Sequence, residues 1–296
     1  MMNGLKRVGL VLLTVFLMSA ASLIINLFSS SPVSNASILR DGSHLIKPSA
    51  VPGNAQPDHE EPIGVKLQDI QDTGYLRLID REHGVGKEPF ELTEFYEGDY
   101  YYRTDIAWAV EGFLQYMDDK DNELYIASAY RTEEEQAKLY EEMENKSLVQ
   151  PAGFSEHQTG LALDLHPVEI LMGDSPRKLH KKITFMNKEA DSFGFILRYP
   201  EGKEAITGID PEYWHFRYVG IPHASFMAKH DLTLEEYLSL LKYKGQLDHK
   251  GAHGTYRIYW REPQDGEIRF YSGLSHEISS TNTGAFIVTV KLEGNE

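Results

Sequence analysis

The 296-residue chain contains no cysteine. That excludes disulfides, thiolate metal sites and a cysteine nucleophile, so any bound metal must be held by His, Asp or Glu. Positive charge is also scarce: 29 Lys and Arg stand against 45 Asp and Glu, a formal net charge of −16. A chain of that sign repels phosphate backbones and offers no basic stripe, which excludes nucleic acid as a partner. No internal repeat is present, which excludes solenoids and propellers. What remains is an ordinary globular composition, 41% hydrophobic and 25% charged, with room for one good-sized core and an appendage.

Long apolar runs are absent apart from residues 8–28, which follow Lys6 and Arg7 and carry no charge. That run matches the ~20 residues needed to cross a hydrocarbon core. Positive charge ahead of it predicts a cytoplasmic N-terminus and an exported remainder, hence a single-pass cell-membrane protein with the rest of the chain extracytoplasmic. A cleaved signal peptide ending near Ala36 is the rival, but the hydrophobic cores of such peptides, roughly 7–15 residues, are shorter than this run. The expectation is therefore an uncleaved anchor at residues 1–28 and a flexible stalk at 29–70, a stretch rich in Ser, Pro, Asn, Asp and Gly without apolar periodicity.

Order is expected from about Tyr75, where YLRLID alternates like a strand. Ile106, Val110, Phe113, Leu114 and Met117 recur at helical spacing, and the largely apolar run 124–130 reads as a strand packed on that helix. Thr132 and Glu135 form a capping box, which puts Arg131 at a strand-to-helix junction. Short strands are expected at 161–165, 195–199 and 213–219, and helices at 176–193, 222–230 and 233–242. After Lys250 the pattern turns to strands at 256–260, 268–271 and 286–292. Mixed elements without regular βαβ alternation define an α+β fold: a small antiparallel sheet flanked by helices in a domain at 71–245, plus a small all-β appendage at 250–296.

Two segments carry chemistry. FSEHQTGLALDLHP sets His157, Asp164 and His166 in a stretch that otherwise reads as core, with Gly160 bending the chain. Ionisable groups among apolar ones need a partner, and a divalent cation is one that His and Asp can share. EYWHFRYVG adds Glu212 and His215 among aromatics. On a strand their odd separation points them to opposite faces, so a bend after Pro211 is needed to unite them. Two histidines and one carboxylate leave a fourth zinc position open, as in catalytic sites, and a second carboxylate can serve as base. Spacing alone does not choose between ligands, because Asp164 and His166 share a strand face.

The string S-x-H-x-x-G-x-A-x-D, formed by Ser155, His157, Gly160, Ala162 and Asp164, together with E-x-W-H, formed by Glu212, Trp214 and His215, resembles the signature of VanY-type D-alanyl-D-alanine carboxypeptidases. These belong to a wider zinc-peptidase group with lysostaphin-like enzymes and the Hedgehog domain. The similarity continues through SAYRTEEEQ, PAGFSEH, FGFILRYP and HFRYVGIPH, and the β-rich tail resembles that of some vancomycin-resistance VanY proteins. The resemblance implies one Zn2+ per chain on His157, Asp164 and His215, with Glu212 as catalytic base. It further implies that Arg131 contacts substrate and stabilises the oxyanion, and that Gln136 and Ser155 help hold the terminal D-alanine. His166 has no role in that pattern. The implied reaction removes the C-terminal D-alanine from peptidoglycan stem peptides ending in D-Ala-D-Ala. An LD-carboxypeptidase acting on tetrapeptides and a non-catalytic zinc-bearing wall-binding module are the alternatives.

Overall fold

The computed structural model describes residues 61–86, 89–95, 100–144, 146 and 149–293. The apolar run at 8–28 and most of the expected stalk lie outside the described residues; among these, no helix is long and apolar enough to cross a membrane.

The central element is a four-stranded antiparallel sheet ordered β4-β5-β7-β6, built from β4 (Leu124–Ser128), β5 (Ala162–Pro167), β6 (Phe195–Tyr199) and β7 (Glu212–Tyr218). Helix α1 (Ala107–Asp119) buries Ala109, Val110, Phe113 and Met117. The Phe113 ring meets Phe195 and Phe216 at centroid distances of 5.9 and 6.0 Å. Strand alternation then divides β5: Leu163 and Leu165 join this apolar cluster, while Asp164 and His166 take the other face. Helix α2 (Glu133–Glu142) begins with the expected Thr132/Glu135 capping box. Helices α3 (Glu169–Met172), α4 (Pro176–Glu189), α5 (Glu204–Thr207), α6 (Ile221–His230) and α7 (Leu234–Lys244) follow.

Downstream lies a second antiparallel sheet ordered β11-β12-β9-β8, from β8 (Gln246–Gly251), β9 (Gly254–Arg261), β11 (Ser275–Ser280) and β12 (Phe286–Glu293). Ile258, Trp260 and Ile287 share one apolar cluster with Leu234, Tyr237 and Leu241 of α7. The alternate residues Tyr259, Val288 and Val290 form a second cluster with Ile268 and Phe270 of β10 (Glu267–Phe270), which pairs with β1 (Ile63–Lys66). A ribbon of β2 (Leu92–Phe95) and β3 (Tyr100–Arg103) completes the strands.

Two local expectations are corrected. Among the described residues, regular structure begins at Ile63, ahead of Tyr75. The stretch at 75–80 forms no strand, because its polar backbone groups are claimed by side chains: Ser279 Oγ accepts from the Leu76 N–H, Asn282 brackets Leu78, and Arg217 donates to the carbonyls of Tyr75 and Arg77.

Candidate metal centre

His157 sits in a 3-10 turn, Glu156–Thr159, that Gly160 ends at φ +68°. A Cβ there would come within 3.0 Å of Arg103 Cγ, so glycine is required both for the turn and for the close approach of β3. The turn delivers His157 to the mouth of β5. There His157, Asp164 and His215 bring one donor atom each within 4.8 Å of one another.

Glu212 and His215 reach one site through an irregular stretch of β7 that directly follows Pro211, where a bend is expected. Leu197 pairs with Phe216, but Tyr199 pairs with Glu212, so β7 carries two extra residues opposite β6. Regular alternation is interrupted between Glu212 and Phe216, and Glu212 Oε2 lies 3.9 Å from His215 Nδ1. A one-residue irregularity in β4 between Ile126 and Ser128 likewise turns Ser128 toward the site.

The imidazoles are held by opposite edges. His157 Nδ1 lies 2.7 Å from the Ala129 carbonyl, leaving Nε2 facing Asp164 Oδ2 at 3.3 Å. His215 Nε2 lies 3.2 Å from Glu156 Oε2, leaving Nδ1 facing Asp164 Oδ1 at 2.9 Å. Both free nitrogens and the Asp164 oxygens therefore converge. Donors bound to zinc at about 2.0–2.2 Å with tetrahedral angles lie roughly 3.3–3.6 Å apart; the 3.3 Å between His157 and Asp164 matches that spacing, and the borderline nitrogens with a hard carboxylate oxygen suit a divalent cation.

Burial alone would raise the Asp164 carboxyl, yet the two imidazoles hold it well below its ordinary range. Burial disfavours protonated His215, but its hydrogen bonds to Asp164 and Glu156 raise it to about 10. A cation entering the metal-free site would displace that proton. Burial pushes the Glu212 carboxyl up; His215 offsets part of this, and the charges of Asp164 and Glu156 add to it, giving about 8. A carboxyl tuned toward neutrality beside the donor cluster suits proton transfer.

Arg131 follows β4. Its Nη1 donates to Gln136 Oε1 at 2.6 Å and its Nη2 to Ser128 Oγ at 2.7 Å, while the Gln136 amide donates in turn to the Gln150 carbonyl. Gln136, 1% exposed, thus reaches the site through Arg131. Ser155 is buried immediately before the 3-10 turn. His166 stays out of the donor cluster, its ring stacked between Tyr125 and Trp214 at 5.5 and 5.7 Å. Sequence reasoning missed Glu156, Arg198 and Arg217. The available signal was charge inside apolar strands, in FILRYP and HFRYVG.

An α+β sheet carrying an open His-Asp-His cluster beside a titratable glutamate is the frame of a metal-dependent hydrolase. The VanY family model, described as D-alanyl-D-alanine carboxypeptidase, matches residues 99–221. A D-alanyl-D-alanine carboxypeptidase of Enterococcus faecium is 39% identical over 168 residues, 56% of this chain and 53% of that protein. The chain thus spans about half the length of that curated relative. The bifunctional D-Ala-D-Ala dipeptidase and carboxypeptidase VanXYC of Enterococcus gallinarum is 37% identical over 177 residues, 55% of this chain and 92% of that one. Among solved structures, the D,D-dipeptidase VanXYg with a D-Ala-D-Ala phosphinate analogue aligns at TM-score 0.64 and 26% identity, covering 78% of this chain and 98% of that one. A point mutant of the D,D-pentapeptidase VanY from the VanB-type resistance cassette, in complex with Zn(II), aligns at TM-score 0.50 and 28% identity, covering 55% and 98%. This chain belongs to the VanY D-alanyl-D-alanine carboxypeptidase family.

Proposed function

We propose that this protein is a zinc-dependent carboxypeptidase that removes the C-terminal D-alanine from peptidoglycan stem peptides ending in D-Ala-D-Ala. The observation carrying this reading is the convergence of His157, Asp164 and His215 within 4.8 Å, with Glu212 alongside, in a chain of the VanY family. His157, Asp164 and His215 hold one zinc per chain. When bound, zinc supplies a Lewis acid that polarises the scissile carbonyl and acidifies a water.

Glu212 takes the proton from the attacking water on a carboxylate oxygen and returns it to the amine nitrogen of the departing D-alanine. Arg131 presents its planar guanidinium in a pose held by Ser128 and Gln136, which suits it to the terminal carboxylate or to the developing oxyanion. Ser155 completes the pocket for the terminal D-alanine, and Gln136 contributes by holding Arg131. A carboxylate anchor beside the scissile bond favours an exopeptidase over an endopeptidase.

We further propose that residues 8–28 anchor the protein in the cell membrane with the catalytic unit at 71–245 outside, near its wall substrate, and that the β-rich segment at 250–296 is an accessory to it. The test is incubation of the purified, zinc-loaded protein with pentapeptide and tetrapeptide stems, reading released D-alanine. Faster release from the pentapeptide is expected. Release from the tetrapeptide alone would favour the LD-carboxypeptidase alternative, and release from neither would favour a binding module.

A further inference from the structure

Glu156 lies between Ser155 and His157 and is 2% exposed. A carboxylate buried that deeply must be compensated. Its Oε1 accepts from Arg198 Nε and Arg217 Nη1, both at 2.9 Å. The two guanidiniums are themselves anchored: Arg198 makes a two-pronged pair with Glu235 of α7 at 2.6 and 3.1 Å, and Arg217 donates to the carbonyls of Tyr75, Arg77 and Tyr218. One oxygen therefore takes up both arginines. The other, Oε2, faces His215 Nε2 at 3.2 Å, its one hydrogen-bond neighbour among the described residues.

An ionised carboxylate only accepts, so the ring nitrogen facing it must carry the hydrogen. An imidazole bound to a metal has one nitrogen with a lone pair, and a hydrogen on Nε2 makes that nitrogen Nδ1, the atom that faces Asp164. Glu156 itself cannot join the ion, because it stands behind the far edge of the ring from Nδ1. His157 is set the other way, with Nδ1 against the Ala129 carbonyl and Nε2 toward Asp164. Opposite nitrogens of the two histidines thus meet at one point.

We propose that Glu156 is a positioning residue that holds His215 as the Nε2–H tautomer and so presents Nδ1 to the metal, with Arg198 and Arg217 occupying its other oxygen. Hydrogen-bond partners of metal-bound histidines typically contribute 10–100-fold to metal affinity. The bland rival is that the Glu156–Arg198–Arg217 network only ties β6, β7 and α7 together. The inference rests on the zinc reading above.

The test uses the full chain, zinc-loaded and labelled with 15N-histidine, and reads ring protonation from long-range proton–nitrogen correlation. His215 should show a protonated Nε2 and a zinc-shifted Nδ1, and His157 the reverse. A zinc-shifted Nε2 on His215 overturns the proposal without any substitution, even if variants fail to fold. Chelator competition then compares Glu156→Gln with Glu235→Gln, which strips Arg198 of its other partner without touching His215. Zinc affinity should fall 10–100-fold in Glu156→Gln and stay within about threefold of wild type in Glu235→Gln. Equal losses in both would make the network merely structural and overturn the proposal. Failure of the wild-type protein to take up zinc would instead remove the metal reading, and this inference with it.

Discussion

Replacing Glu212 by Gln keeps the size and hydrogen-bonding capacity of the side chain but removes its ability to accept a proton. General acid–base assistance typically contributes 10²–10⁴-fold, or about 3–5 kcal/mol of transition-state stabilisation. The turnover number should therefore fall at least a hundredfold in a D-alanine release assay, with KM little changed, because the side chain acts on the reacting water and not on substrate binding. Zinc content should stay near one per chain, since Glu212 is no ligand.

The structure adds a second, independent readout. In the metal-free protein the Glu212 carboxyl is raised from 4.5 to about 8. An acid raised by folding binds more protons folded than unfolded, so the stability it contributes is full below pH 4.5 and is lost as pH rises toward 8. At pH 7, the interval above 4.5 corresponds to a cost on the order of 3 kcal/mol, at about 1.4 kcal/mol per unit. Glutamine carries no such cost, so metal-free Glu212→Gln should melt several degrees higher at pH 7 and show a flatter pH dependence of melting between 5 and 8. Calorimetry on the chelated protein measures this. Near-wild-type turnover at full zinc occupancy would refute the base assignment, and a lower metal-free melting temperature would refute the electrostatic reasoning.

Substituting His157, Asp164 or His215 by Ala should each abolish zinc uptake, measured by elemental analysis, whereas His166→Ala should keep most of the metal because its ring is stacked away from the donors. Amidating the C-terminus of the pentapeptide should slow hydrolysis at least tenfold, since it removes the charged partner offered to Arg131; equal rates on acid and amide would point to an endopeptidase. Burial lowers His223, held between Tyr237 and Thr289, from 6.5 to about 3. Its contribution to stability should be full above pH 6.5 and lost as pH falls toward 3, and His223→Gln should reduce the acid-side slope of unfolding free energy by about one proton. Phe113→Ala should destabilise by roughly 3–5 kcal/mol in denaturant unfolding, because its ring joins α1 to β6 and β7.

Periodicity was enough to locate α1, the capping box of α2, and β6, because each is decided by local spacing and by burial of one face. The donor types were legible too: with no cysteine in the chain, His157, Asp164, His215 and Glu212 stood out as ionisable groups in apolar company, and the motif they share with VanY-type enzymes singled them out. Tertiary structure decided how they meet. Glu212 and His215 share a site on a stretch of β7 that is irregular against β6, a register that exists only once the two strands pair. The alternation at Tyr75 came to nothing as a strand because partners more than 130 residues away claim its backbone. Glu156, Arg198 and Arg217 are ordinary charges in one dimension. They become a buried network only when β6, β7 and the 3-10 turn close around them, since pairing depends on distance in space and removal from water, and neither is written in residue order.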